Sequence, residues 1–142
     1  MKTLLFERVH DLAVVVHSAE NPSDEEWAQY ARFLHEIQSS ASPVKGLLVT
    51  TLGGAPNAIQ RKAVLDAVGA NQAATSVCTD SLIARGVLTA LRWLHREPMH
   101  AFRLDEVTRA IEALPVSRER LGDACAVVVR LQTQLQKPAA RR

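Results

Sequence analysis

Val44-Lys-Gly-Leu-Leu-Val-Thr-Thr51 is an apolar strand; Leu52-Gly-Gly-Ala-Pro-Asn57 is a polar turn; a helix-forming run starts at Ala58. The pattern returns as Ala73-Ala-Thr-Ser-Val-Cys78, then Thr79-Asp80-Ser81, then a helix from Leu82. A strand followed by a crossover helix is the repeat of a sheet with parallel strands. Such sheets meet ligands and partners at the carboxyl ends of their strands, where both turns fall.

The segments on either side extend this unit. Residues 3–8 and 12–17 read as short strands around Val9-His10-Asp11, and Leu12-Ala-Val-Val-Val16 is apolar enough to be buried on both faces. Two strands with so tight a connection pair antiparallel, so the first is the expected antiparallel member. Ser23 and Glu26 form a capping box, in which hydroxyl and carboxylate each satisfy a free backbone N–H. Trp27, Tyr30, Leu34 and Ile37 then share one helical face. In the next helix Val64, Ala67 and Val68 face inward and Gly69 suits the stop. In the one from Leu82 the expected buried stripe is Ile83, Val87, Leu91 and Leu94. Met99–Leu104 is a last strand, and Asp105 is the expected N-cap of a helix carrying Val107, Ala110, Ile111 and Leu114. Ser117 can cap a final helix to about Gln136. The expected fold is a single α/β domain: one mixed, mostly parallel sheet of about five strands with flanking helices. It occupies residues 1–116, with an added amphipathic helix at 117–136 and a basic tail at 137–142.

The 142 residues suffice for one core, and 47% of them are hydrophobic, as in ordinary globular proteins. No apolar run approaches the ~20 residues that cross a bilayer, so membrane insertion is not expected. Glu7, Arg8, His10 and Asp11 interrupt the start before a signal-peptide core can form, which points to the cytoplasm. Positive charge gathers at the end of the chain. Arg118, Arg120, Arg130, Lys137, Arg141 and Arg142 stand against Glu119 and Asp123, a net +4, so the first 116 residues carry −2 of the overall +2. Elsewhere cations and carboxylates interleave, which argues against a nucleic-acid face. Cys78 and Cys125 lie in apolar surroundings and read as reduced core thiols.

Several strings resemble the STAS superfamily, the domain of anti-sigma-factor antagonists and anion-transporter tails, and in particular the bacterial STAS-like group related to the CRAL-TRIO lipid-binding fold. They are Phe6–Val9 leading into Leu12–Val16, Pro22-Ser-Asp-Glu-Glu-Trp27 and Gly46-Leu-Leu-Val-Thr50. Cys78-Thr-Asp-Ser81 before Arg85–Leu91, and Ala101-Phe102 before Asp105-Glu106, continue the likeness. It spans residues 3–114 and implies a non-enzymatic module of bacterial signalling or assembly. It departs at one position. The turn after the third strand, Thr50–Asn57, has no serine where the antagonists carry a phosphorylated one. That switch is therefore not carried over, and Asp80-Ser81 reads as a helix cap.

Candidate sites are few. Gly53 and Gly54 before Asn57 could cradle an anion through backbone N–H groups, with Arg61 and Lys62 one turn on. Asp80, Ser81 and Arg85 stand at the neighbouring strand end. No dinucleotide fingerprint or P-loop is present, the five histidines lack zinc spacing, and no nucleophile has a base at a recognisable spacing, so neither metal, cofactor nor catalysis is expected. His17, at a strand end, is the histidine to test. In the last helix Leu121, Ala124, Val128, Leu131 and Leu135 recur at spacings of three and four, and Cys125 and Val127 widen the stripe. Either it packs on its own sheet or it forms a homodimer seam. Two functions follow. The first is protein–protein contact, with a partner the residues do not identify, through the strand-end loops and last helix. The alternative is a carrier or sensor of a small anion, nucleotide or lipid. A deep apolar pocket lined from the sheet would favour the second.

Overall fold

The computed structural model describes residues 2–92 and 97–136, apart from the side chains of Val87, Ala90 and Leu91. The expected positions Val87, Leu91 and Leu94, His95 and the tail 137–142 lie outside that description. The elements run β1 (Leu4–Val9), β2 (Leu12–His17), α1 (Asp24–Gln38), β3 (Gly46–Thr51), α2 (Ala58–Val68), β4 (Ala74–Cys78), α3 (Leu82–Arg92), β5 (Met99–Phe102), α4 (Val107–Glu112) and α5 (Leu121–Gln136). A single 3₁₀ turn, Arg118–Arg120, precedes α5.

The five strands form one sheet in sequence order, β1-β2-β3-β4-β5. β1 is antiparallel to β2, and the other pairs are parallel. His10 closes the β1–β2 turn at φ 56°, and the Asp11 carbonyl accepts the N–H groups of Lys45 and Gly46 where β3 begins. The turn thereby sets the register of β3 on β2.

Strand alternation divides the sheet into two faces. Leu12, Val14, Val16, Leu48, Ala74 and Cys78 pack under α4 and α5, with Ala110, Ile111, Ala124, Val128 and Leu131 completing that core. On the opposite face Leu4 and Val15 pack with Trp27, Tyr30 and Leu34 of α1. α2 and α3 lie on this second side too, because successive parallel crossovers of the same hand place their helices on one face.

The capping box at Ser23 and Glu26 is formed, and Gly69 ends α2 with φ 56°. Three local expectations need correction. In α3, among the described side chains, Ala84 and Leu88 are buried, and Ile83 is 78% exposed. Asp105 does not cap α4; Glu106 holds that position without a side-chain cap bond. Ser117 makes no side-chain cap either: its N–H donates to Asp11, and the α-helix starts only at Leu121.

Candidate functional site

α2 is tied to α1 at both of its ends. At the first, the Trp27 indole N–H donates to the Gln60 carbonyl at 2.6 Å, and the Gln60 amide donates to the Pro22 carbonyl and the Asp24 carboxylate. At the second, His35 Nδ1–H donates to the Ala67 carbonyl and the Gln38 amide to the Asn71 carbonyl. Asn57 and Gln60 cap the helix reciprocally. Held this way, α2 packs along α1, and its Val64 and Val68 join Leu47 and Val49 of β3 at the edge of the α1 core.

The space left beneath it is a cavity of about 140 Å³. Leu47 and Val49 of β3 and Val77 of β4 form its floor, Val64 and Val68 of α2 its roof, and Leu88 of α3 one wall. Trp27, Tyr30 and Leu34 form the wall on the α1 side. Most of its polar lining is engaged within the protein. Gln38 serves Val44 and Asn71, and the Thr75 hydroxyl donates to the Ala73 carbonyl.

His17, at the end of β2, and Arg61, in the first turn of α2, also line this cavity. The His17 ring is 4% exposed and lies 6.1 Å from the Trp27 ring. Burial drives its pKa down to about 4 against a weaker opposing pull from the Glu26 carboxylate, so the ring is neutral at pH 7. Among the described residues, its Nδ1 is the one buried side-chain nitrogen or oxygen with no hydrogen-bond partner. Glu26 itself is held below the usual carboxylate range: desolvation raises it, but hydrogen bonds from Thr3 and Ser23 outweigh that.

The backbone amides of the glycine turn are engaged within the protein. Leu52 N–H donates to the His17 carbonyl, Gly53 N–H to the Thr51 hydroxyl and Gly54 N–H to the Ser18 carbonyl. Ala55 N–H goes to Asn21 and Asn57 N–H to Gln60, so each amide from 52 to 57 that carries a hydrogen is engaged, Pro56 having none. The turn is a clamp between β2 and β3, and Gly54 is required there by close approach: a Cβ would lie 2.1 Å from the Glu20 carbonyl oxygen. Of the seven strand-end residues the sequence singled out, Gly54 and Arg61 line the cavity. Asp80 accepts the Leu104 N–H, Ser81 caps α3 by accepting the Ala84 N–H, and Arg85 donates to the Thr79 carbonyl. Gly53 lies beside Ser81.

The last helix uses its stripe within the domain. Val128 and Leu131 are buried, and Leu121 and Leu135 pack against the same core. Its apolar width, which on the sequence left room for a dimer seam, is taken up by β1 and β2. Arg130 adds an ion pair with Glu7 at 2.6 Å. Cys78 is buried with its thiol pushed up to about 12, by burial first and then by the Glu106 carboxylate, which removes its nucleophilic form at neutral pH. Among the described residues no three His, Cys, Asp or Glu side chains are grouped to hold a metal, and no helix is long and apolar enough to cross a membrane.

No protein-family model matches the chain, and no curated protein matches it.

Proposed function

We propose that this protein is a non-enzymatic carrier or sensor of a small apolar ligand held between the sheet and its α1–α3 layer. The observation that carries the reading is the apolar cavity of about 140 Å³ under α2. A hydrocarbon-lined cavity of about 150 Å³ is known to stay dry and to bind benzene or xenon, so the space matches a ring or a short chain. A bacterial STAS-like domain related to a lipid-binding fold, working in the cytoplasm, is consistent with this reading.

The test is titration with benzene and with 1-octanol, following methyl resonances of Val49, Val64 and Val68. Binding should move these signals and raise stability by about 2.7 kcal/mol at a hundredfold excess over Kd. Unmoved methyls at saturating aqueous benzene and octanol would sink the proposal.

A second reading, contact with a protein partner, has its own support. Leu52, Ile59, Leu82 and Ile83 are exposed, by 42%, 81%, 84% and 78%. All four sit on the turns and first helical turns that follow β3 and β4. Exposed aliphatic clusters of this kind mark interaction surfaces. Partner capture from the native cell that survives Ile59→Ser combined with Leu82→Ser and Ile83→Ser would remove this reading.

A further inference from the structure

We infer that the ligand of this cavity is a monocarboxylate with a short aliphatic or aromatic body, its head group held by Arg61 beside His17. The inference rests on the cavity reading above and adds the head group to it.

Arg61 sits in the first turn of α2 and is half-buried at the cavity wall. One Nη1–H donates to the Pro56 carbonyl at 3.1 Å, which anchors the guanidinium at the strand-end corner. None of the ion pairs among the described residues includes Arg61. Four of its five N–H donors thus have no partner within the described protein. His17, at the end of β2, lines the same cavity. It pairs in register with Thr51, whose hydroxyl closes onto the Gly54 carbonyl in the turn leading to Arg61. The Thr51 hydroxyl is itself spent, donating to Gly54 and accepting from Gly53.

The corner therefore has donors to give and one positive charge to neutralise. A carboxylate only accepts, and it matches the planar guanidinium through two parallel bonds. A neutral histidine offers one N–H and one lone pair, so it can add a third bond without adding charge. An alcohol would leave the arginine charge unpaired, and an amine would be repelled by it. A phosphate ester would bring nearly two charges to a single cation. The cavity volume limits the buried body to about six to eight carbons on the scale of the benzene-sized precedent.

The full chain should be titrated at pH 7 with octanoate, 1-octanol and octylamine, observing the cavity methyls, the Arg61 Nε–H and the His17 ring nitrogens. We expect octanoate to bind about tenfold tighter than 1-octanol, with octylamine weakest. Octanoate should shift Arg61 Nε–H and His17 Nδ1, whereas octanol should shift the methyls and leave Arg61 in place. Arg61→Gln should abolish the octanoate preference and keep octanol affinity, and Arg61→Lys should restore part of the preference. Equal binding of octanol and octanoate to the wild type overturns the carboxylate head while the cavity reading stands. No response to any of the three overturns both. If Arg61→Gln does not fold, Arg61→Lys and the wild-type comparison decide, since an unmoved Arg61 Nε–H at saturating octanoate overturns the inference alone.

Discussion

His17 is buried as a neutral imidazole, and that has a measurable consequence for stability. The unfolded chain takes up the ring proton near pH 6.5, whereas the folded chain resists it until about pH 4. Stability present above pH 6.5 is therefore lost as the pH falls through the window down to 4, by roughly 3 kcal/mol over the full window. Urea midpoints between pH 7 and 4.5 should fall more steeply for the wild type than for His17→Gln, and parallel slopes would count against this account. Gly54 is constrained by space. A methyl group there meets the Ser18 and Glu20 carbonyls, which belong to backbone that cannot swing aside. Gly54→Ala should cost about 2 kcal/mol or more, read as a drop in denaturation midpoint. Thr50 and Thr51 are 1% and 4% exposed, and their hydroxyls are bonded to Gln132 and to the Gly54 carbonyl respectively. A kinase has no access to either in the folded domain. Ser81 is half-buried and engaged in capping α3 beside Asp80. Mass spectrometry of protein from its native cell should find none of the three phosphorylated.

Among the helices, α5 is fastened most firmly to the sheet. Leu131 is 3% exposed in the core shared with β2, so Leu131→Asp buries an unpaired charge. The expected result is loss of folded structure by circular dichroism. A folded Leu131→Asp variant with a lower mass by light scattering would instead indicate a dimer seam. α2 is held differently, by a few polar ties to α1. Trp27→Phe keeps most of the ring packing but removes the indole N–H that holds Gln60. The Gln60 carbonyl lies in a buried setting, so this should destabilise by about 1–3 kcal/mol. It should also loosen the α2 end of the cavity, seen as faster amide exchange in α2 than in α1.

The molecule as a whole is a sheet filled solidly on one face and incompletely on the other. The α4–α5 side is continuous core. The α1–α3 side has a core under α1 and a cavity under α2. Filling that cavity should stabilise the fold and abolish uptake. Ala84, 5% exposed and part of the lining, is the position to enlarge. Ala84→Leu should raise stability by about 0.5–2 kcal/mol and weaken octanol binding. A variant that is stabilised and still binds octanol at wild-type affinity would place the ligand elsewhere.

The order of strands and helices, and the antiparallel place of β1, were legible in short-range pattern. Period-two apolar runs, the Ser23–Glu26 box and Gly69 each act within a few residues of themselves, so local chemistry suffices to read them. The outward place of Ile83 in α3 was not legible. Leu82, Ile83 and Ala84 are all apolar, and a one-residue ambiguity turns the helix by about 100°. Packing chose Ala84 and Leu88 for the interior and left Ile83 outside. The anion reading of Gly53–Gly54 depended on free amides, and the acceptors that engage three amides of the turn come from Ser18, Asn21 and Gln60. Arg61 and His17 each stood out in the sequence, but nothing in it placed them on one cavity. The cavity that both line depends on how α2 is placed over the sheet. That placement is set by contacts such as Trp27–Gln60 and Gln38–Asn71, both 33 residues apart in the chain, and contacts of that range leave no periodic trace in a sequence.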